Sequence, residues 1–177
     1  MHPLELFKYC PKCGSNHFVE NDAKSKLCKN CHFTYYFNSS AAVATFIINE
    51  KGELLVARRA KEPAKGTLDL PGGFIDLYET AEEAVIREVK EETGITINKI
   101  QYLFSLPNLY PYSGFDVHTV DLFFQCTVED SVSFSPDDDV VELFFLSRDK
   151  INPDLFGLGS IKKAVQVWLN ECANMPM

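Results

Sequence analysis

The sequence predicts a mixed α/β domain with helices packed on a sheet, preceded by a small cysteine-rich unit. Three observations carry this. Several runs of β-branched and aromatic residues are separated by turn signals, and one helix announces both of its ends. Four of the six cysteines fall within the first 37 of 177 residues. Hydrophobic residues make up 46% of the chain, enough for one ordinary core with a small appendage.

Residues 1–37 carry five Lys against three acids, a balance of +2, whereas the whole chain stands at −8. Asn38-Ser39-Ser40 is a plausible join, which gives an expected division into 1–37 and 38–177. Ala41 to Asn49 and Glu53 to Arg59 read as two strands around the turn Asn49-Glu50-Lys51-Gly52, and so as a hairpin. Thr80 and Glu83 have the spacing of a capping box. Ala81, Ala84, Val85 and Val89 form an apolar stripe on the helix that follows, and Gly94 stops it. The reading continues with a strand from Ile95 to Ser105, a Pro/Tyr-rich loop over 106–116, and strands at Val117–Val128 and Val140–Leu146. The acidic turn Pro136-Asp137-Asp138-Asp139 lies between the last two. Ser160 to Cys172 has the spacing of an amphipathic C-terminal helix.

The charge balance disfavours a general nucleic-acid or membrane-surface role, because no block of Lys or Arg stands out. The first residues have neither the basic nor the apolar region of a secretion signal, and no apolar run approaches a membrane span. A cytoplasmic, reducing location is therefore expected, where cysteines serve as metal ligands or buried thiols rather than disulfides.

The chemistry concentrates in two segments. Glu88, Glu91 and Glu92 stand at i, i+3 and i+4, so their carboxylates share one helix face. They crowd the last turns, where the helix dipole disfavours negative charge by roughly 0.3–1 kcal/mol each. A solvated acidic face is the plain explanation. A hard cation, Mg²⁺ or Mn²⁺, is the chemical one, and Gly72 and Gly73 favour it by letting backbone and a carbonyl approach a ligand. The second segment is Cys10-x2-Cys13, fourteen residues, then Cys28-x2-Cys31. Two such knuckles suit a closed, structural Zn²⁺ site, with iron and a pair of disulfides as alternatives. His17 and His32 read as bystanders to a complete ligand set. Cys126 and Cys172 read as core thiols, and His118 as structural.

The segment Gly73-x5-Glu79-x7-Arg87-Glu88-Val89-x-Glu91-Glu92-x-Gly94-Ile95 resembles the Nudix box at all nine defined positions over 23 residues. The resemblance implies an α/β/α sandwich around a mixed sheet, and hydrolysis of a phosphoanhydride in a nucleoside diphosphate-linked substrate. It assigns the principal metal ligands to Glu88 and Glu92, with Glu91 contributing directly or through water. Arg87 would orient Glu88, and Glu79 would support the loop. The metals would clamp the pyrophosphate and activate hydroxide for in-line attack. The general base would be a box glutamate or a later carboxylate, for which Asp139 and Glu142 are candidates. Many members of the family dimerise, so a homodimer is a further expectation.

A zinc ribbon before such a domain resembles the architecture of NADH diphosphatases. Those enzymes carry Ser-Gln-Pro-Trp-Pro-Phe-Pro-x-Ser after the box. Here Ser105, Pro107, Tyr110, Pro111 and Ser113 agree with that pattern in residue or type, whereas Leu106, Asn108 and Leu109 depart from it. NADH and ADP-ribose are the implied substrates. A nucleoside-triphosphate diphosphatase and a non-catalytic, nucleotide-sensing zinc-ribbon module are the other readings. Tyr110, Tyr112 and Phe115 could stack on a flat ring or simply pack over the sheet. Arg58 and Arg59 could reach phosphate, with one of them in a surface ion pair instead.

Overall fold

The computed structural model describes residues 2–112, 114–135 and 140–173, and divides the chain into two compact units, residues 1–39 and 40–177. Ser113, Asp137, Asp138 and Asp139 lie outside the described residues, as does the Cys172 side chain. Among the described residues, no helix is long and apolar enough to cross a membrane.

The first unit is a three-stranded antiparallel sheet of β1 (Phe18–Asp22), β2 (Ser25–Cys28) and β3 (Thr34–Tyr36), in that order. Its core is small: Cys10, Phe18 and Cys28, with Cys31 and Phe33 packed against them. Each cysteine pair sits on a tight turn. Gly14 N–H donates to the Cys10 carbonyl at 2.8 Å, and His32 N–H to the Cys28 carbonyl at 2.9 Å. Both turns need a left-handed residue, supplied by Gly14 (φ +72°) and, at some steric cost, by His32 (φ +58°).

The second unit is an α/β/α sandwich. Its strands are β4 (Ser40–Ile48), β5 (Leu54–Arg59), β6 (Leu68–Asp69), β7 (Gln101–Tyr112), β8 (Phe115–Thr127) and β9 (Val140–Leu146). They run in the order β6-β5-β4-β8-β7, with β9 paired along β5, and the β4–β8 contact is parallel. Helix α1 (Ala81–Thr93) covers one face, where Ala84, Val85 and Val89 meet Val43, Ile47, Leu55 and Phe124. Helix α2 (Gly159–Ala173) covers the other, where Ile161, Val165 and Trp168 meet Phe46, Val56 and Phe123. The Trp168 ring stacks on Phe46 at 5.2 Å, and its indole N–H donates to Gln125 at 3.0 Å.

Two segments differ from the sequence expectation. Residues 95–100 are irregular; Ile95 and Ile97 are buried against the α1 layer without joining the sheet, so their alternation reflects packing rather than a ladder. Residues 106–112, expected as loop, continue β7 through Pro107 and Pro111. The strand tolerates both prolines because β7 ends the strand order, and an edge strand leaves one row of N–H positions unpaired.

Candidate active site

Helix α1 is fixed at both ends, which sets the position of its carboxylates. Thr80 Oγ1 accepts from Glu83 N–H at 3.2 Å while the Glu83 carboxylate accepts from Thr80 N–H at 2.8 Å, the expected capping box. Gly94 closes the helix at φ +74° with its N–H on the Lys90 carbonyl, and Lys90 Nζ donates to the Gly94 carbonyl at 2.7 Å.

The three box glutamates do not converge on one point. Among the described residues, the one set of three or more potential ligands with all ligating atoms within 4.8 Å is the cysteine set. Arg87 accounts for this. Its Nε and Nη2 hold the two oxygens of Glu79 at 2.8 Å each, its Nη1 reaches Glu88 at 2.7 Å and Glu91 at 3.1 Å, and Nη2 also donates to the Phe74 carbonyl at 3.1 Å. All five guanidinium protons are thereby engaged. Glu91 is drawn outward, with its side chain 55% exposed, whereas those of Glu79 and Glu88 are 14% exposed. The Arg87 hydrogen bonds, helped by the Asp76 N–H, hold the Glu79 carboxyl down at about 2. Burial instead raises Glu88, against the pull of Arg87.

The glycines before the helix are shaped by close approach. A Cβ on Gly73 would lie 2.5 Å from Glu88 Oε1, and one on Gly72 would lie 2.1 Å from the Val43 carbonyl oxygen. The Gly73 carbonyl accepts from Val43 N–H at 2.8 Å, and Gly72 N–H donates to Glu92 Oε2 at 3.0 Å. Glu88, Glu92, Gly72 and Gly73 thus form one wall of a cavity of about 470 Å³.

Other elements complete the cavity. Strand β7 contributes Asn108, Tyr110 and Tyr112, with the two tyrosine rings stacked at 6.3 Å and Phe74 edge-on to Tyr110 at 6.0 Å. Strand β5 contributes Arg59, whose guanidinium is ion-paired with Asp69 and donates from Nε to the Pro63 carbonyl at 2.8 Å. Asp69 is buried, and that desolvation raises its proton affinity despite Arg59. Thr119 and Asp121 of β8 and Lys61 also line the space.

Several sequence candidates lie elsewhere. Arg58, the neighbour of Arg59, is turned away by strand alternation and pairs with Glu142 at 2.6 Å, outside the cavity. Glu142 as a distal base is therefore set against a cation rather than the site. Glu79, Arg87, Glu91 and Phe115 are not among the lining residues, and Asp139 is outside the described region. Conversely, Asp69, Thr119, Asp121 and Lys61 were missed, because no local motif marks them, and Asn108 stood out only as a departure from the Ser-Pro-aromatic array.

A family model of the Nudix domain matches residues 38–165. The chain belongs to the Nudix family. It is similar to a protein named NAD-capped RNA hydrolase NudC from Haemophilus influenzae, 30% identical over 176 residues, covering 97% of this chain and 63% of that protein. A protein of the same name from Vibrio atlanticus is 30% identical over 112 residues, 63% of this chain and 41% of its own length. The chain therefore spans roughly two fifths to just under two thirds of these relatives. In fold it matches the crystal structure of a Nudix hydrolase from Nitrosomonas europaea, with a TM-score of 0.72 at 21% identity, over 96% of this chain and 94% of that one. This Nudix chain keeps the whole box, and its cavity opens beside it.

In the first unit, the Sγ atoms of Cys10 and Cys31 lie 3.7 Å apart, as do those of Cys13 and Cys28. A tetrahedron with metal–sulfur bonds of about 2.3 Å has edges of about 3.75 Å. The cysteines therefore fit a tetrahedral thiolate site. Cys126 is buried in the second unit, as expected of a core thiol.

Proposed function

We propose that this chain hydrolyses the phosphoanhydride bond of a nucleoside diphosphate-linked substrate of the NAD type, with Mg²⁺ or Mn²⁺. The observation that carries the reading is the shared cavity: Glu88 and Glu92 face the same space as Arg59 and the stacked tyrosines. The relatives are named hydrolases of NAD-capped RNA, and the NAD group in that name supports the same class. So does the partial Ser-Pro-aromatic array, whose matching aromatic residue, Tyr110, lines the cavity.

The donor set fits a hard cation. The Glu88 carboxylate packs against Gly73, Glu92 accepts from Gly72 N–H, and both line the cavity, a pair of oxygen donors of the kind such an ion takes. Glu88 and Glu92 would hold the ion. When bound it would clamp the pyrophosphate and neutralise charge on the leaving phosphate. The protein's own groups do the positioning. Arg87 fixes Glu88 by direct hydrogen bond, and Glu79 fixes Arg87. Arg59, anchored by Asp69 and Pro63, offers a cation to phosphate, while Tyr110 and Tyr112 present rings against which a base can stack. In the first unit, Cys10, Cys13, Cys28 and Cys31 would hold a structural Zn²⁺.

The test is a panel of NADH, NAD⁺, ADP-ribose, dinucleoside polyphosphates and nucleoside triphosphates with Mg²⁺ or Mn²⁺, read by phosphate release after phosphatase treatment. Wild type should favour the NAD-type members, and Glu92→Gln should lose at least two orders of magnitude. Wild type inactive throughout and indistinguishable from Glu92→Gln would overturn the hydrolase reading. A clear preference for triphosphates would move the substrate class.

A further inference from the structure

Asp121 is a buried carboxylate that the hydrolytic machinery does not use. It lies on β8, is 7% exposed, and borders the cavity. Both of its partners are hydroxyls: Thr119 Oγ1 donates to Oδ1 at 2.6 Å and Ser160 Oγ to Oδ2 at 2.5 Å. Asp69 differs, because its charge is matched by Arg59 and its Oδ1 already accepts from Leu70 N–H. A carboxylate has about four acceptor positions, and two on Asp121 are used. Burying the rest without donors is costly, so a ligand that brings N–H groups is the natural complement.

The strand register places this acceptor relative to the box. Asp121 pairs across the sheet with Ala42, and Ala42 bridges Phe74 of the box loop on its other side. Two inter-strand spacings separate them, about 10 Å. The small Ala42 and Ala44 leave the floor between open. A phosphate held at Glu88 and Glu92 would thus leave its ribose over the alanines and its ring near Asp121. Leu158 and Ile161, which also line the cavity, supply apolar surface for the ring faces.

We infer that Asp121 selects the substrate by accepting a hydrogen bond from the –NH₂ group of a planar ring, the adenine amine or the nicotinamide carboxamide. The inference rests on the reading that this cavity holds a nucleotide. Thr119 and Ser160 then orient the carboxylate, and Ser160 does so from the first turn of α2.

The experiment measures binding of mononucleotide products to the full chain by calorimetry with Mg²⁺, so it does not depend on turnover. AMP is compared with IMP, and nicotinamide mononucleotide with nicotinic acid mononucleotide. In each pair the second member replaces the –NH₂ with an oxygen, which would face Asp121 as a second acceptor. Wild type should prefer the amino member of one pair by about 100-fold or more, and that pair identifies the ring bound. Asp121→Asn, whose amide can donate to a keto oxygen, should shrink the preference to within about tenfold. Ser160→Ala should keep most of it, because the carboxylate remains. Equal binding within both pairs by wild type, an unchanged preference in Asp121→Asn, or no binding of any of the four overturns the inference. Hydrolysis of NADH persisting alongside equal binding would leave the proposed reaction standing. Selective binding without hydrolysis would do the reverse.

Discussion

Replacing Gly73 with Ala isolates the position of one carboxylate from everything else. The new Cβ would sit 2.5 Å from Glu88 Oε1, 2.7 Å from Cδ and 2.9 Å from Oε2. Ordinary contact begins near 3.4 Å, so the carboxylate must retreat by about 0.9 Å. It can do so because it is the end of a flexible side chain, and overpacking of this kind costs the fold about 1 kcal/mol. A misplacement of about 1 Å at a reacting centre can cost roughly 100-fold in rate. The expected result is kcat on NADH down about 100-fold and weaker Mn²⁺ binding by electron paramagnetic resonance, with a thermal midpoint close to wild type. Gly72→Ala is the contrast. Its Cβ would meet the Val43 carbonyl oxygen at 2.1 Å and Ala44 Cα at 2.8 Å, which are backbone and cannot step aside. That variant should lose about 3 kcal/mol or more, lowering the midpoint by roughly 6–12 °C. Gly73→Ala retaining more than a third of wild-type kcat with unchanged Mn²⁺ affinity would refute the placement of Glu88.

Arg87→Lys keeps the charge but not the fork that grips Glu79 and reaches Glu88, so both kcat and the thermal midpoint should fall; a variant equal to wild type in both would remove the positioning role. Glu79 is held down to about 2 from its usual 4.5, so its pairing stabilises the fold fully above pH 4.5 and is lost as pH falls through 2. Urea unfolding of wild type and Glu79→Gln should therefore differ at pH 6 and converge near pH 2; a gap that is flat with pH contradicts the pairing. Purified protein should carry about one zinc per chain by mass spectrometry. Cys28→Ser should lower that content and open residues 1–39 to protease, and zinc-free wild type would rule the assignment out.

The box was legible because its information is local. Helix spacing, a capping box and a terminal glycine are all read within 23 residues, and the structure returns each at the expected position. The Arg58–Arg59 pair was half legible: alternation requires opposite faces, but only the β9 register decides which arginine meets Glu142. Asp69 and Asp121 were illegible. They are 52 positions apart and come together only because β6, β5, β4 and β8 are neighbours in the sheet. Proline in 106–112 argued for loop, and the edge position that permits a strand there is a property of the whole sheet.

Arg87 spends every proton it has on the protein itself. The nearest guanidinium to the box carboxylates therefore has nothing to offer an incoming phosphate, and the wall formed by Glu88 and Glu92 repels one. Within the cavity, attraction is left to Arg59 across from that wall and to whatever cation the carboxylates hold. On the proposed reading, a nucleotide that brings its divalent ion should bind more tightly than the bare polyanion, and turnover should follow the concentration of the complex rather than that of total nucleotide.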